Sequence, residues 1–325
     1  MTSTPATGSP RFGLKLMSEL YGPRALVRQA QMAEEAGLDF VCISDHIHPW
    51  LPEHDHSPFA WSVLGGVAAA TSIEMATGLT CPIGRYHPVI IAQAAATVAA
   101  MSDHPFTLAL GAGERLNEHV TGKPFPSVAV RHEMLREACE IISLLGEGGF
   151  QSYRGEHFTA DDVRIYDLPE TPMRIVLGVS GDQSLDLAAA VEADGIMATD
   201  ADPDLIAGWG ERGGDAAQTW SEVPMAYADT AEEGLRLAHE KMRFALSGWK
   251  VMSELPNPVN FAAATELAEP ADMADVVPHG PDPQSYAEAI TGFVDAGFRN
   301  LSLIPIGNDV EATIRFFTEE VRPHL

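Results

Sequence analysis

Cysteine and basic residues are scarce in this 325-residue chain. Its three cysteines, Cys42, Cys81 and Cys139, are far apart and odd in number, and no CxxC or zinc-ligand spacing occurs. The sequence therefore predicts neither a disulfide framework nor a structural zinc site. Lysine and arginine total 20 against 46 acidic residues, so the formal net charge is −26 at pH 7. Such a surface would repel nucleic-acid phosphates and anionic membranes, and we expect neither as a partner.

Long hydrophobic runs are also missing from the sequence. No uninterrupted apolar stretch reaches the roughly 18 residues that a membrane span needs. Residues 1–11 are polar and lack the apolar run of a signal peptide, so we expect a flexible N-terminal tail and a cytoplasmic protein. Hydrophobic residues make up 46 % of the chain, which excludes global disorder.

Short apolar runs alternate with helical patterns along residues 12–325. The predicted strands are 12–16, 40–44, 75–81, 106–111, 173–177, 195–198, 223–227 and 301–305. A helix follows each of them, which predicts a parallel sheet covered by helices. About eight such units favour an α/β protein with a single (β/α)8 TIM-barrel domain over a doubly wound sheet. Two insertions interrupt the alternation: 146–168, a predicted hairpin, and 249–280, a predicted lid or extra subdomain.

Ionisable residues follow the second predicted strand, where (β/α)8 barrels carry their active sites. His46 lies directly after this strand and beside Asp45, as expected for an oriented imidazole base. The alternative is a core histidine whose ring is satisfied, with Asp45 capping the loop. Trp50 could form an aromatic wall of the site or serve ordinary packing.

Two turns of small residues follow later strands. Gly111-Ala112-Gly113-Glu114 places a carboxylate where a flat ligand could approach the backbone, although a surface turn would have the same composition. The segment from Gly178 to Gly181 is similar to an anion site at a helix N-terminus, but serine and glycine commonly begin helices. Neither GxGxxG after the first strand nor the P-loop pattern occurs.

The pairs His46-x-His48 and His54-x-His56 raise the alternative of a metal-dependent barrel hydrolase. In those enzymes the pair typically follows the first strand, and a lysine from a middle strand often bridges the metals. Here the first pair follows the second strand, and none of the four lysines ends a middle strand. We therefore expect no metal.

Three motifs together resemble the luciferase-like superfamily and, within it, the F-420-dependent glucose-6-phosphate dehydrogenase group. They are Ser44-Asp-His-Ile-His-Pro-Trp50, Arg85-Tyr-His-Pro88 followed by Ala92-Gln93, and Gly113-Glu-Arg-Leu-Asn-Glu118. The resemblance extends from Phe12 to the C-terminus. It implies hydride transfer between an alcohol carbon and ring carbon 5 of coenzyme F-420 (F420), an 8-hydroxy-5-deazaflavin.

The resemblance also implies roles for individual residues. His46 would act as the base on the substrate hydroxyl, Trp50 would stabilise the reacting arrangement, and Glu114 would protonate the deazaflavin. Gly78-Leu79 would form a bulge with a non-proline cis peptide behind the ring. The backbone from Gly178 to Gly181 would receive the phosphate tail. The implied cofactor-binding residues are Asp45, Gly78, Leu79, Thr80, Ala112, Gly113, Asn117, Gly178, Val179, Ser180 and Gly181.

The chain departs from the sugar-phosphate enzymes where they bind the substrate phosphate. Those enzymes use lysine and arginine from late strand ends and from the insertion. Here residues 198–202 read Ala-Thr-Asp-Ala-Asp, and no lysine or arginine occurs between Val251 and Phe298. A dianionic phosphate would lack a cationic partner. We therefore predict a neutral alcohol or sugar hydroxyl, or a ketone in the reverse direction, as the substrate, and not a sugar phosphate.

Two other functions stay open on the sequence alone. One is an FMN-dependent monooxygenase of the same superfamily, and the other is a catalytically silent flavin-binding protein. An intact His46 together with Glu114 argues against both. Small residues in the early helices, such as Gly65 and Gly66, permit close helix contact and, with the resemblance, predict a homodimer. Ordinary packing of these helices against the barrel is the alternative.

Overall fold

The computed structural model describes residues 8–307 and 309–325. In this part of the chain, eight parallel strands form a closed barrel in the order β1-β10-β9-β8-β7-β4-β3-β2, and β5 pairs with β6 outside it. The strands are β1 (Arg11–Leu16), β2 (Phe40–Ile43), β3 (Glu74–Thr77), β4 (Thr107–Leu110), β5 (Gln151–Arg154), β6 (Thr159–Val163), β7 (Arg174–Gly178), β8 (Gly195–Met197), β9 (Thr219–Met225) and β10 (Asn300–Pro305). The predicted (β/α)8 TIM barrel is confirmed.

Strand β2 shows why continuous apolar runs mark the barrel strands. Phe40 and Cys42 point into the barrel and pack in its interior cluster, whereas Val41 and Ile43 pack in the layer between barrel and helices. Both faces of the strand are therefore buried, as a helix-covered parallel sheet requires.

Helices surround the barrel in the described part of the chain. They are α1 (Pro23–Glu35), α2 (Ala60–Ala70), α3 (Pro88–Ala100), α4 (Arg115–Glu118), α5 (Val128–Gly146), α6 (Asp182–Ala190), α7 (Pro203–Glu211), α8 (Ala231–Met242), α9 (Trp249–Met252), α10 (Pro258–Ala264), α11 (Pro283–Ala296) and α12 (Val310–Phe316). Five begin with proline, whose fixed φ suits a first turn in which the missing N–H has no helical partner. None of the described helices has the length and apolarity needed to cross a bilayer.

Two segments stand outside the barrel. Strands β5 and β6 pair antiparallel within 146–168, where the sequence predicts a hairpin. Segment 249–280 contains α9 and α10, and its Met252 and Phe261 pack in a separate apolar cluster with Phe244. The N–H of Arg115 donates to the carbonyl of Ser253 at 2.9 Å. This segment therefore lies against the turn that follows β4.

Several strand boundaries differ from the sequence prediction, most of them by one residue. β9 differs more: it begins at Thr219 rather than Val223, because Thr219 and Trp220 already pair with β8. β1 begins at Arg11, within the expected tail, because the Arg11 guanidinium binds Glu74 at 2.7 Å and Asn300 at 3.3 Å. Residues 1–7 of that tail lie outside the described part of the chain. β3 ends at Thr77 rather than Cys81, because the backbone turns at Gly78.

Candidate active site

His46 lies just beyond the carboxyl end of β2. Its Nδ1 is 2.9 Å from Nδ2 of Asn117 and 3.1 Å from the carbonyl oxygen of His48, and its Nε2 is 3.5 Å from Oε1 of Glu19. Nδ1 thus has both a donor and an acceptor within reach. Without a proton it can accept from Asn117, and with a proton it can donate to the His48 carbonyl. When Nδ1 carries the proton, Nε2 is free to accept another from a substrate.

Asn117 joins the loop after β2 to the turn after β4. Its Oδ1 accepts hydrogen bonds from the N–H groups of Ile47 at 2.8 Å and His48 at 3.1 Å, which fixes the orientation of the amide. Nδ2 therefore faces His46 and also donates to Oε1 of Glu114. One buried amide holds the predicted base and the predicted acid side by side.

Glu19 is a carboxylate that sequence reasoning missed. It is 1 % exposed, and it accepts hydrogen bonds from Oγ of Ser44 at 2.5 Å and from Nε1 of Trp50 at 3.1 Å. Burial acts to raise its pKa, but the charge of His46 and the Ser44 hydrogen bond outweigh burial and lower the pKa. Its only signal in the sequence is its position three residues after β1.

Asp45 is next to His46 in sequence, but its carboxylate turns away from the ring. Oδ1 accepts from Arg85 at 3.0 Å and Tyr86 at 3.1 Å, and Oδ2 accepts from Thr80 at 2.9 Å. The carboxylate that faces His46 is therefore Glu19, which corrects the idea that Asp45 orients the ring. Asp45 ties the loops after β2 and β3 together, and its direct contact with a cofactor stays a prediction.

Trp50 covers one side of His46. The two ring centroids are 4.7 Å apart in an edge-on arrangement. The indole also stacks on Phe244 at 4.9 Å and meets the edge of Phe261 at 5.2 Å. Because Phe261 belongs to the segment 249–280, this segment fixes the aromatic wall of the site, and the packing and site roles of Trp50 coincide.

The turn Gly78-Leu79-Thr80 lies at the carboxyl end of β3, and the expected cis peptide between Gly78 and Leu79 is present. Leu79 projects toward two glycines of neighbouring strand ends. A Cβ at Gly178 would lie 2.5 Å from Cδ1 of Leu79, and one at Gly111 would lie 3.0 Å from it. Both glycines therefore leave room for Leu79, so part of their role is packing.

The turn after β4 carries Glu114 into the site. Gly113 has φ +73°, and a Cβ there would lie 2.5 Å from Sγ of Cys81. Ala112 packs against the main core as a half-buried residue, and Glu114 precedes α4. One helical turn later, Glu118 accepts a hydrogen bond from the Arg85 N–H at 2.7 Å. Burial, together with the Glu114 carboxylate, raises the pKa of Glu118 to about 7.

In the predicted phosphate-binding loop, Gly178 to Gly181, backbone N–H groups bind the hydroxyl of Ser184, a residue not predicted from the sequence. The N–H groups of Ser180 and Gly181 donate to Oγ of Ser184 at 2.9 Å and 3.2 Å, and the N–H of Val179 donates to Met197 at 2.8 Å. A phosphate here would have to share these donors with the Ser184 hydroxyl. The position of a Cβ on Gly181 has no atom within 4 Å, so the loop faces open space.

The structure thus brings His46, Trp50, Glu114 and Asn117 together, with Glu19 added. The turn at Gly78–Thr80 is joined to this cluster through Thr80 and Asp45. The Ser180–Gly181 loop, which follows β7, forms a separate part of the mouth, the end of the barrel at which the strands have their carboxyl ends. Across residues 8–307 and 309–325, no three histidine, cysteine or carboxylate side chains are grouped to hold a metal ion.

Comparison with known proteins places the chain in a family. The model of the luciferase-like monooxygenase family matches residues 8–307. The chain is 34 % identical to an F420-dependent glucose-6-phosphate dehydrogenase of Microbacterium testaceum, covering 97 % of each chain. It is also 34 % identical to an F420-dependent hydroxymycolic acid dehydrogenase of Mycobacterium tuberculosis, covering 100 % of this chain and 91 % of the relative.

Solved structures agree with these relatives. An F420-dependent secondary alcohol dehydrogenase in complex with an F420-acetone adduct superposes with a TM-score of 0.88 at 27 % identity, over 98 % of this chain and 99 % of the other. The F420-dependent tetrahydromethanopterin reductase of Methanopyrus kandleri shares the fold, with a TM-score of 0.78 at 20 % identity over 98 % and 99 % of the two chains. The resemblance read from the three sequence motifs is confirmed: the chain belongs to the luciferase-like monooxygenase family.

Proposed function

We propose that this protein is an F420-dependent oxidoreductase that transfers hydride between a neutral alcohol, or the corresponding ketone, and the deazaflavin. Relatives at 34 % identity over nearly the whole chain are F420-dependent dehydrogenases. The observation that carries the proposal is the pairing of His46 and Glu114 through one Asn117 amide. Oxidation of an alcohol by hydride transfer needs a base at the carbinol and an acid at the acceptor ring.

The residues at the mouth fit a flat cofactor. The turn from Ala112 to Gly113 has small side chains beside Glu114, and the open space before Gly181 leaves room for a tail. Gly78–Thr80 would line the ring, and the Ser180–Gly181 loop with Ser184 would receive the phosphate. Bound F420 supplies carbon 5 as the hydride acceptor or donor.

The side chains divide the proton transfers between them. In alcohol oxidation, Nε2 of His46 takes the hydroxyl proton while the carbinol carbon loses hydride, and the alcohol becomes a ketone. The Glu19 carboxylate, 3.5 Å away, stabilises the imidazolium that forms. The Glu114 carboxyl group would release a proton toward the ring. The alcohol loses a hydride to the cofactor and its hydroxyl proton to His46, so His46 ends with one proton more and Glu114 with one proton fewer. The Asn117 amide lies between the two groups: Nδ2 donates to Glu114 and is 2.9 Å from Nδ1 of His46, whose proton in the form that acts as base is directed to the His48 carbonyl.

A neutral substrate is supported by the surroundings of His46. On one side His46 meets the indole of Trp50, which in turn stacks on Phe244 and meets the edge of Phe261. Two cations that precede segment 249–280 in the sequence are already engaged: Arg243 pairs with Glu53, and Lys241 donates to the carbonyls of 306 and 307. A substrate phosphate would have to compete with these partners.

Anaerobic titration with oxidised F420, followed by mixing with secondary alcohols and with glucose 6-phosphate, tests the proposal. We expect bleaching of the deazaflavin absorbance at about 420 nm with the neutral alcohols, because hydride arrival removes the ring conjugation. His46→Ala should bind F420 and fail to bleach it, whereas His48→Ala is the matched control that retains turnover. Binding of FMN in place of F420 would contradict the cofactor, and comparable kcat/KM on glucose 6-phosphate would contradict the substrate class.

We further propose that the protein is a cytoplasmic homodimer. Phe59 and Ile90, at the starts of α2 and α3, are 51 % and 52 % exposed, next to the small residues of α2. The three cysteines are free thiols, as is usual in a reducing compartment. Light scattering on a sizing column would show twice the chain mass, and a charged substitution such as Ile90→Glu should lower it to that of one chain.

A further inference from the structure

Lys15 and Glu222 form an ion pair inside the barrel. Lys15 lies on β1 and is 3 % exposed, and its Nζ donates to Oε1 of Glu222 on β9, whose side chain is 15 % exposed. The same ammonium donates to the carbonyl oxygen of Gly78 at 2.5 Å. It therefore links two strands of the barrel to the turn after β3.

The pair is not explained by packing of the barrel interior. The side chains around it are apolar or small and form their own cluster, which includes Phe40, Cys42 and Trp220. Taking an ammonium and a carboxylate out of water costs free energy that apolar side chains of similar volume would not cost. The Lys15–Glu222 pair is therefore better explained by the part of the backbone that it binds than by a contribution to the stability of the fold.

What it holds is the start of the turn 78–80. Gly78 packs directly on the pair, since a Cβ there would lie 2.3 Å from Sγ of Cys42 and 2.9 Å from Nζ of Lys15. The N–H of Gly78 donates to Ile43 at 2.8 Å, and the N–H of Thr80 donates to Ala109 at 2.9 Å. These backbone bonds fix the two ends of the turn, and Lys15 fixes the carbonyl between them.

The charge of Lys15 is secured by its neighbours. Burial acts to lower the pKa of Lys15, but the surrounding groups, with Glu222 foremost and Glu19 among them, together outweigh burial, so the pKa is raised and the ammonium stays a donor. Burial raises the pKa of the adjacent Cys42 thiol to about 12, so this group adds no charge of its own.

We propose that Lys15 and Glu222 are positioning residues for the cofactor: the ammonium holds the Gly78 carbonyl and thereby sets the backbone that lines the ring. This inference rests on the proposed function, because it assumes that F420 contacts Gly78–Thr80. Neither residue was singled out as a site residue by the sequence analysis. Their contribution is to binding of the cofactor and not to a proton transfer.

The double variant Lys15→Met/Glu222→Met tests the proposal. It removes the hydrogen bond to Gly78 without leaving either charge alone. The gain from removing a buried ion pair and the loss of the Gly78 hydrogen bond oppose each other, so Tm should stay close to that of wild type, while the Kd for F420, measured by fluorescence quenching, should rise roughly ten-fold or more. Arg11→Met is the matched control. It removes the cation at the opposite end of the same strand, and it should lower Tm without changing the Kd for F420 by more than about two-fold.

Each outcome decides between the proposals. An unchanged Kd in a folded double variant would overturn the positioning role and leave the proposed function intact. Failure of the wild-type protein to bind F420 would overturn the proposed function itself. If the double variant does not fold, Glu222→Gln is the alternative. It keeps the side-chain volume at 222 and an acceptor for Lys15, but it removes the carboxylate charge that keeps Lys15 protonated, so the hydrogen bond from Lys15 to Gly78 is weakened. It should raise the Kd by several-fold and shift the absorbance spectrum of bound F420; no change in either would overturn the inference.

Discussion

The side-chain amide nitrogen of Asn117 lies 2.9 Å from Nδ1 of His46. Because the same nitrogen donates to Glu114, a movement of either of these proposed catalytic groups is transmitted to the other. The two groups come from different barrel loops, after β2 and β4, so neither loop alone defines the site. The geometry that pairs base and acid therefore depends on a residue that takes no proton itself.

Asn117→Ala should lower kcat by about 10- to 100-fold, because both His46 and Glu114 lose their contact with the Asn117 amide and are no longer fixed in position. It should also cost about 2 kcal/mol of stability, because the N–H groups of Ile47 and His48 lose their acceptor. Asn300→Ala is the matched control, since Asn300 is also 1 % exposed but lies at the other end of the barrel. It should lower the free energy of unfolding and leave kcat unchanged; equal kcat losses in both variants would contradict the role of Asn117.

Trp50 supports His46 in two ways that substitution can separate. Trp50→Phe keeps a ring on Phe244 but loses the hydrogen bond from Nε1 to Glu19, so we expect kcat to fall about ten-fold with little loss of stability. Trp50→Ala also loses the stacking and should destabilise the protein by about 2–4 kcal/mol. Steady-state kinetics and urea unfolding of the two variants would show this split. Equal loss of stability in both would contradict it.

The fold was predictable from the sequence because its strands are buried on both faces. Runs such as Phe40–Ile43 predict a helix-covered parallel strand, and about eight of them alternating with helices predict a closed barrel. Boundaries such as the start of β1 depend on long-range bonds, here from Arg11 to Glu74, which no local pattern contains.

The candidate site was predictable where residues belong to a motif and not where they act across strands. His46, Trp50, Glu114 and Asn117 were found through motifs, and the structure brings them together. Glu19 and the pair of Lys15 and Glu222 were missed, because each contributes through a partner that is distant in the sequence. Only the barrel closure brings these partners within hydrogen-bonding distance.

Glu118 should make stability depend on pH near neutrality. Its pKa is raised to about 7 by burial, so between about pH 4.5 and 7 the folded protein holds a proton that the unfolded chain has lost. Stability therefore falls as the pH rises through this window, by about 1 kcal/mol per pH unit. Glu118→Gln lacks this slope, so its free energy of unfolding relative to wild type should increase from pH 5 to 7 and level off above. Parallel curves for the two proteins across this range would contradict the raised pKa.

Gly113→Ala should disrupt the turn that presents Glu114. Its φ of +73° strains any L side chain, and its Cβ would also lie 2.5 Å from Sγ of Cys81 and 2.8 Å from Cγ of Glu118. Gly122 lies in the same loop region at φ +78° with nothing within 4 Å of its Cβ position, so Gly122→Ala has the strain without the collision. We expect a loss of about 1 kcal/mol for Gly122→Ala and about 3 kcal/mol for Gly113→Ala. Only the second should weaken F420 binding in a fluorescence titration, because only the second displaces Glu114; equal effects on binding would show that the turn does not contact the cofactor.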